Sequence, residues 1–199
     1  TVLTSASQSA DGLPGVAGYR GLNDLVFARG ALYALDESII RRIDTGTFEV
    51  TTPYGPRGFL QELSDGPAAE ANFGTYAAGY LGSDGTSLYF SDNGGNGFEG
   101  RMRRISHADG SVDTFCAPAF GAMPADSVAV GDFLYFTDSG ESNLWRQHRT
   151  SGADPVIFAG QSTFGETDGI GVAASFRRPM GIASDGTSLY VSEVDNCTI

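Results

Sequence analysis

Asp36, Asp92, Asp138 and Glu193 each stand three residues after the tyrosine of a Leu-Tyr pair, in "ALYALDE", "SLYFSDN", "FLYFTDS" and "SLYVSEV". Carboxylates repeated in this way could hold a hard cation such as calcium, which takes about six to eight oxygens gathered from several loops. They could equally accept the backbone N–H groups of the turns they open. The sequence has no compact calcium-loop spacing such as D-x-D-x-D-G, so turn capping is the simpler expectation and no cofactor is required. Asp11, Asp65 and Asp168 precede the repeats in Asp-Gly pairs and are expected on the same, acidic, face.

A second group, Asn23, Asp24, Asp84, Asp126 and Asp185, falls near the first strand of each repeat, where side chains would face a central axis and could ligate a metal or activate water. The two histidines, His107 and His148, fall at turn or outer-strand positions and are expected to be solvated. Seven arginines, Arg41, Arg42, Arg101, Arg103, Arg104, Arg146 and Arg149, lie on the third strands. Such a stripe could engage RNA or pair with acids of the chain itself. With 24 Asp and Glu against 12 basic residues, all arginine, the formal net charge is -12. That balance repels phosphate backbones and anionic lipid, so nucleic acid is a poor partner and pairing within the chain is the expectation. Trp145 and Leu144 read as strand packing. Asn196-Cys197-Thr198 is the single glycosylation pattern. Cys116 and Cys197 fall two repeats apart, beyond the roughly 7 Å that a disulfide spans, so no bond between them is expected.

The elements that must position these groups are short strands. Of 199 residues, 28 are glycine and 41% are hydrophobic, and no apolar run approaches the roughly 20 residues of a membrane-crossing helix. Leu32, Leu88, Leu134 and Leu189 lie 56, 46 and 55 residues apart. A linker, "SDGPAAEANF" before the second unit and "TDGIGVAASF" before the fourth, accounts for the short middle interval, because the third unit lacks it. Each unit carries four β-rich runs separated by Gly, Asp, Asn or Ser turns, as in "TSLYFSD", "RMRRIS" and "SVDTFCA" with "HADG" as a hairpin signal. Units of this size with four antiparallel strands are propeller blades, and no sustained 3.6-residue period supports helices. In an inner strand buried on both faces, Leu32 would point to one neighbouring blade and Tyr33 to the other.

The segment "GETDGIGVAASFRRPMGIASDGTSLYVSEVDNCTI" resembles an NHL repeat, whose pattern runs from a DG linker through A-x-F, P-x-G-[IV]-A and LYV-x-[DE]. Unit two keeps Asp65-Gly66, Ala71, Phe73, Leu88 and Tyr89, and units one and three are looser. The resemblance covers nearly the whole chain and implies an all-β propeller of four-stranded antiparallel blades, most often six in the family. Four repeats are visible, approximately 20–58, 59–120, 121–160 and 161–199, within one domain spanning 1–199. "TVLTSA" at 1–6 resembles the outer strand that ends a repeat and could close a ring of four; the other reading is an arc of a larger propeller.

The functional expectation is a non-catalytic propeller scaffold that binds protein or glycan partners, or assembles with itself. It reads as an extracellular or secretory-pathway module of a larger protein or assembly. The alternatives are a metal-dependent lyase or lactonase-like hydrolase with an axial site, and an RNA-binding NHL module. The lyases that resemble the family need several His ligands, and the Glu, Asn and Asp set of the lactonase-like propellers has no residue-by-residue match in this sequence.

Overall fold

The computed structural model describes residues 9–55, 63–68, 70–74, 79–93, 100–117 and 121–199. The chain folds into successive antiparallel sheets, each strand ending where a Gly, Asp or Asn turn interrupts the apolar pattern. The first sheet is β1 (Leu22–Ala28), β2 (Ala31–Asp36), β3 (Ile39–Asp44) and β4 (Val50–Tyr54), paired in chain order. In the second sheet, β6 (Leu81–Ser83), β7 (Ser87–Asp92), β8 (Arg101–Ser106) and β9 (Ser111–Cys116) repeat the order, and β5 (Gly66–Pro67) of the linker adds a short fifth strand beside β9. The third is β10 (Pro124–Val130), β11 (Phe133–Asp138), β12 (Asn143–His148) and β13 (Val156–Ala159). The fourth pairs β14 (Pro179–Ser184) with β15 (Leu189–Glu193) and adds a single bridge between Glu193 and Thr198.

The inner strands pack in sequence, β1 on β6, β6 on β10 and β10 on β14, so the sheets are the blades of a β-propeller. The approach is close enough that a Cβ on Gly82 of β6 would stand 2.8 Å from the Ser127 carbonyl oxygen of β10, so this blade contact needs glycine.

The Leu-Tyr pair works as its alternation requires. Tyr33 and Leu35 of blade one join Leu88, Phe90 and Phe73 of blade two in one buried cluster. Tyr89 faces the other way, into a cluster with Met102, Leu134 and Phe136 that seals blade two against blade three. Leucine therefore points toward the preceding blade and tyrosine toward the following one. Burying each such side chain contributes about 1.5–3 kcal/mol.

At the two ends of the series the outward blade faces are uncovered. On blade one Leu25 and Phe27 are 52% and 62% exposed, and on blade four Tyr190 is 49% exposed. Among the described residues the blades thus form an arc with two open faces, and the closing strand expected at 1–6 lies outside the described residues. In the fourth unit the expected third strand is reduced to the Thr198 bridge: Cys197 lies in the turn before it, with φ +55°. Both cysteines are free, Cys116 buried and Cys197 exposed. The linker is also more widespread than its expected two copies. Asp11, Gly12, Ala17 and Tyr19 place the same segment before blade one, where Ala10 bridges Gly18 just as Ser64 bridges Asn72 before blade two.

Tyr89 and Tyr190 occupy one position of the repeat but differ in cover, so their truncation should differ. Tyr89→Ala is expected to lower unfolding stability by about 3–5 kcal/mol and Tyr190→Ala to change it by less than about 0.5 kcal/mol, as read by urea denaturation of the two variants.

Candidate functional site

Each acid after a Leu-Tyr pair is consumed by its own blade. Asp36 accepts the Arg20 and Gly21 backbone N–H groups, both at 2.9 Å, and the Ser9 hydroxyl at 2.7 Å. The Arg41 guanidinium donates to it at 3.0 Å. Asp92 accepts the Gly74 N–H at 3.0 Å and the Arg103 guanidinium at 3.2 Å. Asp138 accepts the N–H groups of Met123, Gly140 and Glu141 and the Trp145 indole N–H at 3.2 Å. Glu193 accepts the Arg177 N–H, the Asn196 amide at 2.9 Å and the Thr198 hydroxyl at 3.2 Å. The four therefore sit at one end of their blades without being gathered around a common point, and among the described residues no group of three or more His, Cys, Asp or Glu side chains is placed to hold a metal.

Arg41 and Arg103 complete the pattern. Both side chains are fully buried. The second guanidinium nitrogen of Arg41 reaches the Ala10 carbonyl at 2.6 Å and Asp11 at 3.3 Å; that of Arg103 reaches the Ser64 carbonyl at 2.8 Å and Asp65 at 2.9 Å. The planar fork suits this double task, since one nitrogen serves the strand-end acid and the other the linker. Trp145 takes the corresponding position in blade three, so its ring packs and its N–H replaces the guanidinium. Removing one partner of a buried pair strands the other charge, so Arg103→Ala should cost about 3–5 kcal/mol in urea denaturation.

Other arginines of the expected stripe are engaged as well. Arg104 pairs with Asp113, Arg149 with Asp84 and Arg42 with Asp44. Arg104 and Arg146 also stack over Phe115 and Phe158 of the outer strands, both at 5.5 Å. The histidines are half-buried and make ring contacts, where solvation was expected: His107 packs against Tyr33 across the first blade interface, ring centroids 5.3 Å apart, and burial with the nearby Arg29 charge lowers its pKa. His148 lies edge-on to Phe133 at 5.2 Å. Asn196 is half-buried, its amide donating to Glu193 and to the Gly165 carbonyl at 3.1 Å.

Of the five residues expected near the axis, the structure brings together two. A β-bulge opens each of β1, β10 and β14 near its start. In blades two to four a hydroxyl just before the strand-end acid caps an N–H in this region: Ser91 for Tyr80, Thr137 for Asp126 and Ser192 for Gly181. The bulges aim Asp24 and Asp126 at the next blade. Asp24 accepts the Leu81 N–H at 2.7 Å and Asp126 the Ile182 N–H at 2.9 Å, while the other oxygen of each takes the following residue's N–H at 2.7 Å. Tyr80 occupies the matching position of blade two, and burial, helped by the charges of Asp126 and Asp24, raises its pKa. Burial outweighs the two N–H bonds and, with Asp24 adding its charge, pushes the Asp126 carboxyl up to about 6. Asn23 shares the β1 bulge. Asp84 and Asp185 are a correction: β6 ends at Ser83 and β14 at Ser184, so both aspartates cap hairpin turns at the far end of the inner strands.

Among the described residues, the Asp24, Tyr80 and Asp126 group is the polar constellation shared between blades at the axis. Tyr80 carries no repeat signal, and it is recognised only from its register beside Leu81. A separate cleft of about 730 Å³, of the size that takes small ligands, opens between blades three and four beside Tyr135, Phe158, Asp168 and Leu189.

No protein-family model and no curated protein sequence matches the chain. Among solved structures it is similar to an auxiliary nutrient binding protein of Bacteroides ovatus, with a TM-score of 0.65 at 16% identity, covering 92% of this chain and 48% of that one. A second auxiliary nutrient binding protein, from Bacteroides thetaiotaomicron, gives a TM-score of 0.51 at 16% identity over 96% of this chain and 56% of that chain. A provisional 6-phosphogluconolactonase of Bacteroides uniformis gives 0.56 at 14% identity over 91% and 52%. At these identities the likeness is one of fold, that of a β-propeller, and the chain spans about half the length of these proteins.

The raised pKa fixes a pH dependence. An unfolded aspartate titrates near 3.8 and folded Asp126 near 6, so the native state holds this proton more tightly. Its contribution to stability is full below about pH 4 and is lost as pH rises through 6. Carboxyl carbon NMR should show an inflection near pH 6 for Asp126, displaced downward in Asp24→Asn.

Proposed function

We propose that the chain is a non-catalytic interaction scaffold, an NHL-type propeller module of a larger extracellular or secretory-pathway protein or assembly, which engages a protein or glycan partner. The observation that carries this reading is the division of labour among the side chains. The strand-end carboxylates and most third-strand arginines are spent within their own blades and linkers, whereas apolar blade faces at both ends of the arc stand open to solvent. Open faces of this kind mark contact surfaces. The nutrient-binding designation of two similar propellers is in keeping with a binding role, and the cleft beside Tyr135 and Phe158 has the mixed lining that a glycan would use.

One observation favours a second reading. A carboxyl that titrates near neutrality, beside Asp24 and the Tyr80 phenol, is the kind of group an axial enzyme needs for proton transfer. Against it, all four oxygens of Asp24 and Asp126 already accept backbone N–H groups.

Elemental analysis separates the two readings. Purified protein is expected to carry well under one transition-metal ion per chain and to leave a panel of sugar lactones unhydrolysed. A stoichiometric metal, with hydrolysis lost in Asp126→Ala, would overturn the scaffold reading. An RNA-binding module would show affinity falling steeply with salt, and no binding to single-stranded RNA is expected even at low ionic strength.

A further inference from the structure

The heptapeptide Ser-Asp-Gly-Thr-Ser-Leu-Tyr occurs twice without change, at 83–89 in blade two and at 184–190 in blade four. Its two copies fold alike. The Ser83 and Ser184 hydroxyls donate to the Ser87 and Ser188 carbonyls at 3.0 and 2.8 Å. Asp84 accepts the Thr86 and Ser87 N–H groups at 2.8 and 2.7 Å, and Asp185 those of Thr187 and Ser188 at 2.9 and 2.8 Å. In both, the tyrosine hydroxyl donates to the outer carboxylate oxygen at 2.9 Å. The glycine holds φ +82° in one and +91° in the other, which the tight turn requires.

The copies differ in what covers them. Blade three lies over the first, and Arg149, in the turn after its third strand, donates to the same Asp84 oxygen at 2.6 Å. Asp84 is then 4% exposed as a side chain and Tyr89 1% exposed. Over the second copy lies nothing among the described residues: Asp185 and Ala183 are exposed and Tyr190 is half exposed. The other blades lack the motif and meet different partners. Blade one reads "ARGALY" before its Tyr33, which takes His107, and blade three reads "VGDFLY".

We infer that the open face of blade four is a docking surface for a further antiparallel β-blade that carries an arginine in the turn after its third strand, seated on Asp185 and Tyr190 as Arg149 is seated on Asp84 and Tyr89. A second copy of this chain does not supply that chemistry. The position of Arg149 in blade one is Thr45, whose hydroxyl bonds the Gly30 carbonyl as the Arg149 N–H bonds the Asp132 carbonyl. Asp44 beside it would bring a like charge to Asp185. The occupant is therefore a blade other than these four, with a guanidinium where blade one has a hydroxyl.

This inference rests on the reading of the chain as an interaction scaffold, and its test is independent of that reading's test. Thr45→Arg gives blade one the missing guanidinium, and the rate of Tyr190 nitration by tetranitromethane, read by peptide mass spectrometry, reports whether the face becomes covered. Nitration is expected to slow several-fold in Thr45→Arg at high protein concentration, whether the contact forms between chains or within one, and to return to the wild-type rate in Thr45→Arg/Asp185→Asn. An unchanged rate in Thr45→Arg, or protection that survives Asp185→Asn, would overturn the cationic socket. So would wild-type chains that shield Tyr190 by self-association insensitive to Asp185→Asn, since that would give the face to a second copy. A bound metal would sink the scaffold reading without altering any of these rates.

Discussion

A carboxylate buried at the end of the second strand of blades one, two and three is the constraint on which the rest of the structure depends. Asp36 and Asp92 are shielded from water, and an ionised carboxylate in such a place is tolerable only if its oxygens are fully engaged. The engagement comes from three directions: the linker N–H groups that precede the inner strand, the third strand through arginine or tryptophan, and the turn that follows. Meeting the acid's demand thus fixes where the linker lies, where the inner strand begins and how the third strand is registered. A single charge organises three segments that are far apart in sequence.

Among the described residues, that arrangement leaves these acids turned away from any common coordination point. A calcium ion draws its oxygens into one coordination sphere, whereas the strand-end acids turn theirs inward, each to its own blade. The inner strands are different, because their bulges project Asp24 and Asp126 across to the next blade. There the carboxylate is the fastener between blades, taking an N–H that the neighbouring inner strand has no sheet partner to satisfy. The cost of burying it appears in the raised pKa of Asp126, whose charge changes near pH 6.

Much of the fold was legible in the sequence, for a physical reason. A blade buries both faces, so leucine and tyrosine must recur in a fixed order, and the strand-end acid must follow at a fixed distance. The repeat of Leu32-Tyr33, Leu88-Tyr89, Leu134-Tyr135 and Leu189-Tyr190 carries the architecture almost unaided. The site was less legible. Asp84 and Asp185 look axial in one dimension, but a strand only three residues long in blade two places the aspartate beyond its end. The arginines look like a basic stripe until burial shows Arg41 and Arg103 threaded into the linker. Tyr80 leaves no trace at all, because its position is held by Asp24 in blade one, Asp126 in blade three and Gly181 in blade four. His107 looks solvated in the sequence, which does not show that the turn after β8 folds over blade one.

The blade interfaces also differ in a way that generic apolar packing would not require. The same tyrosine position meets a histidine ring at Tyr33 and an arginine-capped aspartate at Tyr89. Apolar area alone would let any blade stack on any other, since leucine and tyrosine are common to all four. Polar groups placed on that area discriminate, because a mismatched neighbour would bury Asp84 without its cation or set two acids face to face, and either is far costlier than a lost methylene. In a repeat protein, where segments of similar sequence compete for the same neighbours during folding, such pairings select the order of blades. The apolar faces supply the adhesion, and the charged turns at their edges determine which face belongs to which.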